Sequence, residues 1–217
     1  MNTLLSSGAR AWVWHLTETA GDLQKFVPAQ DFQAICQAYT HERRRLQKLA
    51  IRTLLMELGD GQALDLLYDE AGKPQPKDFP GFLSISHSAH HVGLVYHPLH
   101  AVGLDLEEPD GRALKIAERF LNPLEKTWIR QEEAVRDCTL VWSVKEALFK
   151  NIGGGGILFK EHLWVHAPRF SDGISGKGEA EYRGKKQNLF FDYHVLYLEG
   201  VLLVHTIAKQ TGRFDQP

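Results

Sequence analysis

Cysteine is scarce in this 217-residue chain: Cys36 and Cys138 are the only two, far apart and without metal-ligand spacing. They are expected to be buried free thiols in a reducing cytoplasm, not halves of a disulfide framework. Long apolar runs are lacking as well. The best, Val201–Ala208, is interrupted by His205 and falls far short of the ~20 residues that cross a bilayer, so no membrane association is expected. Met1–Arg10 has no basic start followed by an apolar core, so no secretory leader is expected. Nor is there an excess of either charge. Lys and Arg number 25 against 27 Asp and Glu, a formal net charge of -2, which argues against a dedicated nucleic-acid binder while leaving room for local patches. No short-period repeat is present.

What is there is ordinary for a globular protein: 43 % hydrophobic and 24 % charged residues. The length is about one and a half typical domains, enough for one bilobed unit with a proper core. Residues 31–58 have a helical pattern, with Phe32, Ile35, Leu46, Leu49, Leu54, Leu55 and Leu58 at three- and four-residue steps. Gly59 is the expected stop, and Thr40 a possible cap for a second helix inside the region. The opposite face carries Arg43, Arg44, Arg45, Lys48 and Arg52, read either as a solvated face or as an anion grip.

Strands are expected at 11–16 (an edge strand), 64–68, 82–86, 92–96 and 101–107, with a glycine-proline turn at 69–74 that puts Lys73 at its tip. A boundary is expected near residue 100, dividing an N-terminal part, 1–100, from a C-terminal part, 101–217. Helices follow at 112–120 with Asp110 as a cap, from Asn122-Pro123-Leu124-Glu125, and at 138–152, where Gly153-Gly154-Gly155-Gly156 stops it. The remainder reads as strands 163–166, 189–198 and 201–208 around a polar loop at 171–178, with a hairpin at Glu199-Gly200 and a frayed tail from Lys209. The fold class is α+β, two similar lobes of helices on small antiparallel sheets.

The residues able to carry chemistry sit on two stretches. Val102-Gly103-Leu104-Asp105-Leu106-Glu107 alternates as a strand, with Asp105 and Glu107 on one face. Trp142-Ser143-Val144-Lys145-Glu146-Ala147-Leu148-Phe149-Lys150 reads as a helix with Trp142, Glu146 and Lys150 along one side. Taken alone, the strand acids are usually a solvent face, and Glu146 with Lys150 an exposed ion pair of about 0.2–0.5 kcal/mol. Three carboxylates close together repel unless a cation sits between them, and magnesium takes oxygen ligands and phosphates in one shell. The expectation is that strand and helix bring these acids within reach of one ion, with an ammonium group beside it.

Ser86 and His87 fall at a strand end, where they either donate to a phosphate or shape a turn. His87, His90 and His91 with His97 or His100 lack structural-zinc spacing. The four glycines either let backbone amides approach a ligand or form a hinge.

Read together, Ser84-Ile85-Ser86-His87-Ser88, the VGLDLE strand, the WSVKEALFK helix with its glycines, and Gly72-Lys73-Pro74 resemble the surfactin-type 4′-phosphopantetheinyl transferase family, from about Arg43 to about Val165. That resemblance implies transfer of the phosphopantetheine arm from coenzyme A to a serine of an apo acyl or peptidyl carrier protein, with adenosine 3′,5′-bisphosphate as the other product. It implies that Asp105, Glu107 and Glu146 hold Mg2+ on the pyrophosphate and that Lys150 neutralises charge on the phosphate. Glu146, or a metal-bound water, would take the serine proton, and Ser86, His87, Lys73 and Arg52 would grip the nucleotide's phosphates at a site between the lobes. Glu125 falls where some relatives have a further acid, and the clustered Arg43-Arg44-Arg45 departs from the family's spaced basic residues. A monomer in the cytoplasm is expected, because a two-lobed chain completes its own site. A metal-dependent phosphohydrolase and a non-catalytic coenzyme A-binding module are the alternatives.

Overall fold

The computed structural model describes residues 8–198 and 200–209, together with the backbone of 2–4. In chain order the elements are β1 (Asn2–Leu4), β2 (Arg10–His15), α1 (Ala20–Leu23), α2 (Ala29–Ala38), α3 (Glu42–Leu58), β3 (Leu66–Tyr68), β4 (Pro74–Pro76), β5 (Phe82–His87), β6 (His91–His97) and β7 (Val102–Glu107). There follow α4 (Arg112–Lys115), α5 (Ala117–Phe120), α6 (Pro123–Lys126), α7 (Ala134–Ile152), α8 (Phe159–His162), β8 (Leu163–Val165), β9 (Arg169–Phe170), β10 (Ser175–Arg183), β11 (Asn188–Leu198) and β12 (Val201–Ala208). Helices and antiparallel sheets mix throughout, as an α+β class requires. Among the described residues, no helix is long and apolar enough to cross a membrane.

One sheet has the order β1-β2-β6-β5, the other β7-β12-β11-β10-β8 with β9 alongside β10, and β3 and β4 form a hairpin of their own. In the first sheet, α3 buries Ala50, Ile51, Leu54, Leu55 and Leu58 against Trp12, Leu83, Val92 and Leu94. In the second, α7 buries Leu140, Val141, Val144, Ala147 and Leu148 against Val195, Leu202 and Val204. A third cluster joins the two sheets: Ala9, Ala11 and Val95 meet Val102, Leu104, Leu106 and Leu203. These faces follow from period: apolar residues every three or four positions on the helices, every second position on the strands.

Several expectations are revised. The run 31–58 is two helices broken at 39–41, and His41, not Thr40, stands at the second N-cap, without a side-chain bond. Arg45 fastens the break by donating to the carbonyls of Tyr39 and Thr40, at 3.1 and 3.4 Å. Strand β2 is not an edge strand, because β1 pairs on its far side. The helix at 112–120 is interrupted at Ile116. The polar loop at 171–178 already contains the start of β10, which lies inside its sheet between β8 and β11. Its first residues, Ser175-Gly176-Lys177-Gly178-Glu179, lack the apolar alternation that announces a strand, so only its neighbours define it. Cys138 is buried as expected, but Cys36 is only partly so, and both are free. Of the final hairpin, Gly200 is described and Glu199 is not; the tail beyond Lys209 also lies outside the described residues.

One position fixes how closely α7 and β7 approach. A Cβ on Gly103 would lie 1.9 Å from the carbonyl oxygen of Ala147 and 2.9 Å from the Thr206 hydroxyl. Backbone thus meets backbone where β7 passes α7. Gly103→Ala is expected to cost about 1–3 kcal/mol through overpacking, read as a lower urea midpoint.

His205, on β12 between the sheets, provides a second check. Its ring is 1 % exposed and stacks on His194 at 4.7 Å. Burial, with the fields of His194 and His97, pushes its pKa from 6.5 down to about 3. The unfolded chain therefore takes up a proton that the folded one refuses. Stability should be full above about pH 6.5 and decline as pH falls toward 3; in His205→Gln the decline should be shallower in urea titrations across that range.

Candidate active site

The site is built where β5, β7 and α7 meet. Strands β5 and β7 belong to different sheets, yet two serine hydroxyls bridge them. Ser84 Oγ accepts from the Leu104 amide at 3.0 Å and Ser86 Oγ from the Leu106 amide at 3.2 Å. Alternation along β5 aims both side chains at β7.

Asp105 is the centre of the cluster and only 4 % exposed. Its Oδ1 accepts from Lys150 Nζ at 2.8 Å and from Ser86 Oγ at 3.3 Å. Its Oδ2 accepts from Ser143 Oγ at 2.6 Å. Lys150 Nζ also donates to Ser86 Oγ and to the Leu104 carbonyl, both at 3.0 Å. The ammonium group is thus bonded to Asp105, one helical turn after Glu146.

Glu107 and Glu146 flank this knot. Burial first, then the charge of Asp105, raises the Glu107 pKa from 4.5 to about 7, against the opposing pull of Arg112 and a 3.3 Å hydrogen bond from Trp142 Nε1. Burial and Asp105 likewise raise Glu146, with Lys150 opposing. The three acids therefore share one electrostatic environment. Among the described residues, however, no three acidic, histidine or cysteine side chains converge closely enough to hold a metal as they lie. Asp105 is turned toward Lys150 and Ser143. The donor chemistry, three mutually repelling carboxylates, suits a hard divalent cation, whose charge would relieve the strain that shifts them.

The basic partners divide into two groups. Partial burial, and after it the charges of Lys150, Lys48 and Arg43, hold the pKa of His87, at the exposed end of β5, below the usual value. Arg43 donates to the Ser88 carbonyl at 3.1 Å, and Gln47 to the same oxygen at 3.2 Å, so α3 brings its basic face to the β5–β6 turn. Of the arginine cluster, then, Arg43 faces this turn while Arg45 holds the α2–α3 break. Glu108 fixes the turn from below. Despite partial burial, hydrogen bonds from Ser88 and His90 hold its pKa near 2.

Lys73 and Arg52 are placed otherwise. Lys73 Nζ donates to the Asn151 carbonyl at 2.6 Å, at the C-terminus of α7, and burial lowers its pKa. Arg52 is tied to Asp31 at 2.7 Å, to the Leu64 carbonyl at 2.7 Å and to Asp65 at 3.4 Å. Its guanidinium braces α3 against α2 and the approach to β3. Gly153 closes α7 in the left-handed conformation, φ 68°, its amide bonded to the Phe149 carbonyl at 3.0 Å. The first of the four glycines is thus a helix terminator.

Two features of the site escape the sequence reading. Ser143 orients Asp105, and its spacing of seven from Lys150 on one helix face is the signal that could have marked it. The second is a pair, Glu125 and Lys145, both fully buried and 2.9 Å apart. Glu125 also accepts from the Asn122 amide, the Asn122 side chain and the Val165 amide, and Lys145 donates to the carbonyls of Phe120 and Phe159. Burial raises the Glu125 pKa and lowers that of Lys145. The signal was a lysine on the apolar stripe Val141, Lys145, Leu148 and an Asn-x-x-Glu capping box. This pair locks α6 and β8 onto the catalytic helix.

Against this geometry, residues 101–203 match the family described as the 4′-phosphopantetheinyl transferase superfamily. The family resemblance carried by the two motifs is borne out there. A curated relative, "4'-phosphopantetheinyl transferase gsp" of Aneurinibacillus migulanus, is 32 % identical over 130 residues, covering 57 % of this chain and 53 % of that protein. The matched segment thus spans about half the relative's length.

Glu125→Ala should cost about 3–5 kcal/mol by stranding the Lys145 ammonium, while Glu125→Ala with Lys145→Met should lose much less. Urea denaturation of both variants checks this; equal losses would show that the pair is not coupled.

Proposed function

We propose that the protein transfers the 4′-phosphopantetheine arm of coenzyme A to a serine hydroxyl of an apo acyl or peptidyl carrier protein, releasing adenosine 3′,5′-bisphosphate. The observation that carries this reading is the direct Asp105–Lys150–Ser86 cluster, with two further carboxylates in its field. The superfamily match over 101–203 supports it. In this reading residues 1–100 form a lobe that grips coenzyme A and 101–217 a lobe that carries the reacting groups, with the site at their junction. The chain works as a cytoplasmic monomer.

Asp105, Glu107 and Glu146 would hold Mg2+. The cation, when bound, neutralises pyrophosphate oxygens during displacement at phosphorus. The remaining work falls to the side chains. Lys150 supplies a fixed positive charge where charge accumulates on the phosphate, and Ser86 and Ser143 hold Asp105 and Lys150 in one orientation. The attacking serine oxygen forms a bond to phosphorus as the bond to the bridging oxygen breaks, and its proton passes to Glu146. His87, with Arg43 and Lys48 beside it, binds the nucleotide's phosphates. Lys73 and Arg52 contribute by bracing the C-terminus of α7 and the base of α3. The basic face of α3 steers an acidic carrier protein to the cleft.

Incubation with coenzyme A, Mg2+ and a panel of apo carrier proteins should add the mass of the arm to at least one carrier. Chelation should stop the reaction and added Mg2+ restore it. Asp105→Ala should lower turnover by more than about a hundred-fold while its circular dichroism stays native. Full labelling by that variant, or release of phosphopantetheine with no carrier present, would overturn the assignment.

A further inference from the structure

The second sheet has a face turned away from α7, and part of it carries charge that the proposed transfer does not use. Arg169, Lys177, His194 and His205 stand directly opposite one another across β9, β10, β11 and β12. They form a single cross-strand row with no acid in it, about 14 Å long at the usual spacing of ~4.8 Å between strands. Like charges directly opposite on neighbouring strands destabilise a sheet. Arg169 and Lys177 are both exposed, and among the described residues neither forms an ion pair.

The neighbouring acids are held by other partners. Glu179 and Asp192 occupy the adjacent row and both bind Lys209, the latter at 3.2 Å. Glu181 bonds His166 and Arg183, each at 2.8 Å. Arg169 contributes only a longer-range field at Glu179. Of this row Arg169 and Lys177 carry the charge, while burial holds His194 and His205 toward their neutral forms. Two such cations set directly opposite each other, where neutral residues would pair better, are a local inconsistency of the kind that concentrates at functional sites.

The row is also concave. It floors two adjoining depressions, of ≈ 1030 Å³ and ≈ 300 Å³, that share Arg169, Lys177 and His194. His100, His166 and Lys209 also line the larger one, as do Glu179 and Asp192, the two acids that Lys209 binds. These volumes bracket the range usual for small-molecule sites. The forked guanidinium of Arg169 and the point charge of Lys177 are the two groups that bind phosphate oxygens most readily.

We propose that this row is a binding site for a phosphate-bearing small molecule, on a different face from the Asp105 cluster and independent of its chemistry. His194 is the natural reporter. It is half-buried, with Lys177 and Asp192 acting on it from β10 and β11, His205 stacked on it from β12, and Arg169 in its row on β9. An anion seated between Lys177 and His194 favours protonation of the ring, so binding tightens as pH falls.

Pyrophosphate is the probe, added to the full chain while the ring signals of His194 and His87 are followed by nuclear magnetic resonance. His87 reports the proposed coenzyme A site in the same sample. A saturable His194 shift is expected, weakened about ten-fold in Lys177→Gln and in Arg169→Gln, the loss of one charge-assisted contact, with the His87 response unchanged. In anion-free buffer both variants should melt at a higher temperature than the parent. The proposal falls if sodium chloride of equal ionic strength reproduces the shift, if the variants respond like the parent, or if both melt lower. It also falls if a polyglutamate peptide displaces pyrophosphate at lower charge-equivalent concentration, which would make the row a surface for acidic proteins.

Discussion

A buried carboxylate held by three converging donors is the constraint on which this structure turns. Removing Asp105 from water is costly, and Lys150, Ser86 and Ser143 offset that cost by donating to it from two elements. Satisfying it requires β5 to lie beside β7 and α7 to cross both. Gly103 permits that crossing at backbone distance, and the serine hydroxyls of β5 replace the ladder acceptors that β7 lacks on that edge. The seam between the sheets is consequently polar at its centre and apolar behind it, where Leu104 and Leu106 meet Ala11 and Val95.

The same knot loads two neighbouring acids. Burial and the charge of Asp105 act on Glu107 and Glu146 more strongly than Arg112 and Lys150 oppose them, and the pKa of Glu107 is pushed up to about 7. Raised proton affinity in neighbouring carboxylates is the kind of repulsion that a divalent cation would relieve. The nearby cations of Arg43, Lys48 and Lys150 gather on the His87 side. Positive and negative charge therefore lie on different sides of the Asp105 cluster, an arrangement that suits the proposed substrate, which carries phosphates together with a divalent ion.

Rigidity behind the site comes from a second buried charge pair of different character. Glu125 and Lys145 have no exposed surface and saturate one another's hydrogen-bonding capacity with backbone groups of α5, β8 and α8. Lys145 and Glu146 are adjacent in sequence but opposite in role, because successive residues on a helix point about 100° apart. One faces the packing of α6 and β8, the other the cleft.

The amino-acid sequence by itself determined the periodicities, and through them most helices and strands, the common face of Asp105 and Glu107, the common face of Glu146 and Lys150, and the family that these two motifs resemble. Local spacing encodes which way a side chain leaves its own backbone, and that information survives in a string of letters. Only the tertiary structure decided what each side chain meets. Lys150 bonding Asp105, Ser143 turning it, Lys73 reaching the end of α7 and Arg52 bracing α2 all join residues that lie far apart in the chain. The polar start of β10, and the row of Arg169, Lys177, His194 and His205 that it helps to form, were equally illegible. Strand pairing at those positions is set by register with neighbours and not by any pattern of the residues' own.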